Sequence, residues 1–197
     1  MRVTPRHLAA TLGLAATLAL TACGNDGSTS GTAMDGMGGQ TSSSSPAQTG
    51  RVGDVMFSQM MVPHHEQAVE MADLALKNDS ASTEVKSLAQ QIKAAQDPEI
   101  STMNGWLKEW NAPASAEMNH GGSDGMMSAE DMASLEKASG AEFDRLWLTM
   151  MVQHHQGAIE MAQGVLDTSS DTRVKALASA IIDGQKKEIA TMQGLLG

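Results

Sequence analysis

The chain has 197 residues, 41% apolar and 18% charged, enough for one buried core plus a tail. Thirteen Lys and Arg against 23 Asp and Glu leave a formal charge of −10, which argues against a nucleic-acid partner because phosphate counterions are replaced by a basic face. A single Cys excludes an internal disulfide and any all-thiolate metal cluster, whereas Met stands out at 16 residues against two Phe, three Trp and no Tyr.

Residues 1–22 read as a secretory signal: Arg2 and Arg6 precede an apolar run from Leu8 to Leu20 that is too short to span a bilayer stably. The run ends Leu20-Thr21-Ala22-Cys23, which resembles a bacterial lipobox, so Cys23 is the expected lipidation site and first mature residue. Residues 23–50, rich in Gly, Ser and Thr, carry no hydrophobic period and read as a flexible tether to the membrane, with Met34 and Met37 in it. The globular domain is expected over 51–197, with repeat halves at about 53–110 and 129–197.

Those halves are related by duplication. Residues 60–72 (MMVPHHEQAVEMA) and 150–162 (MMVQHHQGAIEMA) agree at nine of thirteen positions at an offset of ninety. Further on, Val85-Lys86-Ser87-Leu88 answers Val174-Lys175-Ala176-Leu177, and Glu99-Ile100-Ser101-Thr102-Met103 answers Glu188-Ile189-Ala190-Thr191-Met192, at an offset of eighty-nine. Each unit reads as a helical hairpin. Phe57, Met61, His64, Ala68, Met71 and Ala75 fall within about 40° of one line at 100° per residue, as do Trp147, Met151, His154, Ala158, Met161 and Val165. Partner helices follow over about 83–110 and 171–195, after turn and cap residues at 78–80 and 168–171. Pro63 is expected to kink its helix or fray its first turn. Residues 111–128, with Pro113 and three Gly, form a connection long enough to cross a bundle, at roughly 3.3 Å per residue. The expected fold is therefore all-α: two duplicated hairpins joined by one long crossover, a ferritin-like four-helix bundle.

The chemistry gathers in the repeated segments. His64 and His154 are expected to face the bundle interior, with His65 and His155 about 80° away at a helix seam. Met60, Met61, Met150 and Met151 each precede a His by four residues and share its face. Imidazole with thioether is a borderline-to-soft donor set that suits copper, above all Cu(I), and silver. Zn²⁺ would gain little from Met, and Ca²⁺ or Mg²⁺ would need an oxygen cage. A di-iron oxidase is disfavoured because no His follows a Glu by three residues, and Glu70 and Glu160 point about 140° from the core line. Met71 and Met161 lie on the inner line, where packing competes with ligation. His120, Met118, Met126 and Met127 in the crossover form a candidate second, weaker cluster.

The repeated Met-x-x-His-His-x-x-Ala-x-Glu-Met-Ala pattern, followed by Gln96-x-x-Glu99-Ile100-x-x-Met103-x-x-Trp106-Leu107, resembles the bacterial domain-of-unknown-function 305 family over about 51–197. The resemblance implies a ferritin-like four-helix bundle, exported and often lipid-anchored, some of whose members, the CopM-like proteins, bind copper or silver. Carried over by position, the metal residues are His64, His65, His154 and His155 with Met60, Met61, Met71, Met150, Met151 and Met161. The second copy departs from the pattern at Gly157, which stands opposite Gln67, and in lacking Trp after Met192.

The expectation is an extracytoplasmic lipoprotein, not an enzyme, that sequesters or carries copper. Its partners would be metal ions, a membrane through the lipid and, where sites close between chains, a second copy. The competing expectation is a non-catalytic interaction module in which Met and His only pack.

Overall fold

A computed structural model of the chain describes residues 46–114 and 125–197. Five helices occupy them: α1 Pro46–Lys77, α2 Thr83–Glu109, α3 Ala129–Lys137, α4 Gly140–Thr168 and α5 Thr172–Leu196. No strand occurs among the described residues. The four long helices form the two expected hairpins, α1–α2 and α4–α5, packed on one another chiefly through α1 and α4. The signal and most of the tether, including Cys23, Met34 and Met37, lie outside the described residues, as do Met118 and His120.

Local chemistry sets the helix limits. Ser82 caps α2 by accepting from the Val85 amide, and the Asp171 carboxylate caps α5 by accepting from Arg173 N. Ser128 and Asp131 form a reciprocal capping box that starts α3. That short helix was not expected as a separate element; it ends at Ala138, and α4 begins after Ser139. Two other expectations need correcting. The first helix begins at Pro46, inside the stretch read as tether, and it runs through Pro63 without a break. Pro63 therefore sits mid-helix, not in a frayed first turn, and its missing N–H forfeits the hydrogen bond to the Gln59 carbonyl.

Each end of the bundle is tied. At one end Arg173 bridges the Glu109 carboxylate at 2.9 and 3.1 Å, joining α5 to the end of α2. Arg51 lies 4.5 Å over the Trp110 ring, which stacks on Trp106. At the other end the Asp144 carboxylate accepts from the Ser82 amide, and the Ser80 hydroxyl accepts from the Gly140 amide.

The two repeat copies differ where the crossover is seated. The Gln67 amide grips Met127 on both sides, donating to its carbonyl at 2.9 Å and accepting from its N–H at 2.7 Å. Opposite Gln67 in the repeat, Gly157 leaves room for the backbone of Gly125. A Cβ on Gly125 would lie 2.7 Å from the Gln153 carbonyl and 3.1 Å from the Gly157 Cα, and its φ of +78° is glycine territory. Gln59 fixes the other side of the crossover by donating to the Pro113 carbonyl at 2.9 Å. The Gln67/Gly157 difference is thus what a single chain needs to lay one crossover over a twofold-like pair.

Candidate metal site

All four motif histidines are buried: His65, His154 and His155 expose nothing and His64 1%. His64 from α1 and His154 from α4 meet between the two hairpins, with ring centroids 3.7 Å apart and planes tilted by 37°. His65 and His155 flank them symmetrically, each 6.4 Å from its own neighbour. The inward placement of His64 and His154 follows the heptad-like spacing. The seam positions of His65 and His155 prove to be contacts with the second helix of each hairpin. His65 Nε2 lies 2.8 Å from Glu99 Oε2 on α2, and His155 Nε2 lies 2.7 Å from Glu188 Oε2 on α5.

Glu99 and Glu188 went unrecognised as part of the site in the sequence. The signal that could have found them is that both stand in the duplicated blocks, at the same place relative to the His pairs. The same holds for Gln96 and Gln185, one helical turn before those carboxylates. Both glutamines are buried, and neither amide has a hydrogen-bond partner.

In the neutral imidazole whose Nε2–H donates to such a carboxylate, the Nδ1 lone pair is bare. On both His65 and His155 that Nδ1 is buried and makes no hydrogen bond. His154 has no side-chain partner at either ring nitrogen, and its ring lies against the His64 backbone. Burial pushes the His154 pKa well below its ordinary 6.5, and the neighbouring His64, His155 and His65 push it the same way. The centre of the bundle is therefore a layer of buried imidazole and amide groups, several of whose polar atoms have no hydrogen-bond partner. Buried polar atoms are normally paired, so such a layer is chemistry in need of a ligand or water.

The thioethers divide into two groups. Met61, Met71 and Met151 are fully enclosed and Met150 nearly so. Met60 and Met161 are only half-buried and line an outer groove between α1 and α4. This corrects the placement of Met161 on the inner line. Which part of a helix face its neighbour covers is not contained in helical-wheel arithmetic on a single helix. In the crossover Met127 is buried in the core against Met71 and Met150, not held in a loop cluster. Among the described residues no three His, Cys, Asp or Glu converge to hold a metal ion by themselves. Any enclosed site must therefore draw on sulfur or amide donors as well. Glu70 and Glu160 are exposed, as expected.

Residues 54–196 match the family described as domain of unknown function DUF305. The chain belongs to this family. A DUF305 fragment from Deinococcus radiodurans superposes with a TM-score of 0.69 at 33% identity, covering 74% of this chain and 95% of that one. CopM in its Cu(II)-bound form superposes with a TM-score of 0.64 at 32% identity, covering 73% and 95%. CopM has also been solved with Cu(I) and with silver. Among curated proteins, the uncharacterized protein L153 of Acanthamoeba polyphaga mimivirus is 38% identical over 53 residues, 27% of this chain. The chain spans about a third of that relative, 35% of its length.

Proposed function

We propose that this DUF305 protein binds copper, held by the repeated His and Met residues, and acts as a sequestrant or carrier rather than as an enzyme. The observation that carries the reading is the pair of fully buried imidazoles, His65 and His155, each oriented by a carboxylate that leaves Nδ1 bare. A metal-ligating His is commonly fixed by a carboxylate at its other nitrogen in this way. Met61 and Met151 lie one turn before them on the same helix faces, so soft and borderline donors share one layer. The likeness to CopM, solved with Cu(II), Cu(I) and silver, supports the same assignment. Thioether favours Cu(I), and imidazole admits Cu(II) as well.

Lipid attachment at Cys23, and with it a place outside the cytoplasm on a membrane face, rests on the lipobox-like Leu20-Thr21-Ala22-Cys23 and belongs to the proposal. Mass spectrometry of the chain extracted from membranes tests it: a diacylglyceryl Cys23 at the N-terminus supports anchoring, and an unmodified Cys23 refutes it.

The test of metal binding is Cu(I) titration against a competing chelator, wild type beside a His64→Gln/His65→Gln/His154→Gln/His155→Gln variant, with helicity followed by circular dichroism. Tight binding that weakens in a still-helical variant is expected. The competing reading, in which His and Met only pack, draws on the want of three converging His, Cys or acidic ligands among the described residues. It predicts no competitive binding in either protein.

A further inference from the structure

The duplicated motif is built asymmetrically, and the asymmetry leaves one groove open. Between α1 and α4 a cavity of about 210 Å³ is lined by Met56, Met60 and Met161, with Gly53 and Gly164 on its walls and Phe57 at its base. At the equivalent positions of the other copy, ninety residues away, stand Leu146, Met150 and Met71, with Phe143 for Gly53, Leu74 for Gly164 and Trp147 for Phe57. Those bulkier residues fill the corresponding space, and Leu135 of α3 packs over them in one apolar cluster. Among the described residues the groove at Gly53 and Gly164 has no such filling: a Cβ at Gly164 would meet nothing within 4 Å, and one at Gly53 would meet only the Thr168 side chain, at 3.3 Å.

The result sorts the thioethers. Of each repeated Met pair, 60/150 and 71/161, one member is enclosed and the other reaches the groove. Met56, which has only Leu146 as its counterpart, adds a third sulfur and is 44% exposed. Thr168 is the one polar side chain in the lining, and no charged group takes part. Three neutral sulfurs in an uncharged, solvent-reached groove make a poor site for a hard divalent cation and a suitable one for a soft monovalent ion.

We propose that Met56, Met60 and Met161 form a thioether site for Cu(I) or Ag(I) on the outer face of the bundle, distinct from the buried imidazole layer. The proposal rests on the metal-binding reading above and adds the place where an ion first meets the protein. Thioethers do not titrate, so this site keeps its affinity in acid.

The experiment titrates Ag(I) into the full chain carrying Cys23→Ser, so that no thiol competes, with the methionine methyl groups labelled with carbon-13. The expected result is that the Met56, Met60 and Met161 methyl resonances move together with the first equivalent. A Met56→Leu/Met60→Leu/Met161→Leu variant, which keeps side-chain volume, should lose about one bound equivalent while the rest remain. If Ag(I) binds but the first shifts fall on Met61, Met150 or Met151, and the triple variant binds undiminished, the groove site is refuted and the buried layer stands. If no methyl resonance moves, the groove site fails: Ag(I) that still binds then sits on the imidazoles, and Ag(I) that does not bind at all defeats the metal-binding reading as well.

Discussion

Acid should weaken the metal-free protein through one side chain. His154 sits fully buried against His64, with its pKa pushed well below 6.5 by loss of water and by the surrounding imidazoles. Because the folded value is the depressed one, the unfolded chain takes up the proton first as pH falls. The stability linked to His154 is therefore complete above about pH 6.5 and is lost progressively below it, until the folded pKa is reached. One such group costs up to about 1.4 kcal/mol per pH unit, or about 1 kcal/mol between pH 6.5 and 5.5 once the curvature near 6.5 is included. In a domain of this size that lowers Tm by roughly 2–4 °C. The assay is thermal unfolding of chelator-treated protein by circular dichroism at pH 7.5, 6.5, 5.5 and 5.0, beside His154→Leu. His64, His65, His155, Glu99 and Glu188 are present in both proteins, so the difference between the two curves reads the loss of His154 and of its contact with His64. The variant should lose less stability than wild type on acidification. Equal slopes, or a wild type that gains on the variant in acid, would show that His154 is not held neutral by its surroundings.

Three further outcomes follow from particular contacts. Gln67→Ala removes both hydrogen bonds to Met127 and should cost about 1–3 kcal/mol, with faster hydrogen exchange at the Met127 amide; unchanged exchange there would mean that the crossover is held by something else. Gly125→Ala forces a Cβ to 2.7 Å from the Gln153 carbonyl at a φ of +78°, so it should destabilise by about 1–3 kcal/mol or more. Gly140→Ala, at a φ of +59° with nothing within 4 Å of the new Cβ, should cost less, and the reverse order in denaturant titrations would contradict the packing described. Asp171→Ala removes the cap of α5 and should cost about 1 kcal/mol. Arg173 holds the Asp171 carboxyl at about 2 against an ordinary 3.8, so the cap's ionic share is present above pH 3.8 and lost as pH falls toward 2; a variant equal to wild type at pH 6 would refute it.

The hairpins and their limits were legible because duplication repeats the same apolar period twice and cap residues mark the ends. The expected limits 83–110 and 171–195 fall within a residue of α2 and α5. The inward histidines followed from the same arithmetic, since His64 and His154 share a line with Met61, Ala68, Met151 and Ala158. What periodicity could not supply is what one helix does to another. Glu99 lies 34 residues from His65, on a different helix, and nothing in single-helix spacing joins them. The half-exposure of Met161, the packing of Leu135 of α3 against α4 and the seating of Gly125 on Gly157 likewise depend on contacts between elements far apart in sequence. Pro63 misled because its cost is a single hydrogen bond once tertiary packing holds both flanks of the helix.

The most direct measurement of the central claim is X-ray absorption at the copper edge on the full chain, Cys23→Ser, loaded with two equivalents of Cu(I). If the repeated His and Met residues hold the metal, the spectrum carries sulfur scattering together with the multiple scattering of imidazole, and the imidazole part disappears in the variant with all four motif histidines replaced by Gln. A spectrum of oxygen neighbours alone, identical in the two proteins, would contradict the account and leave the buried histidines as packing.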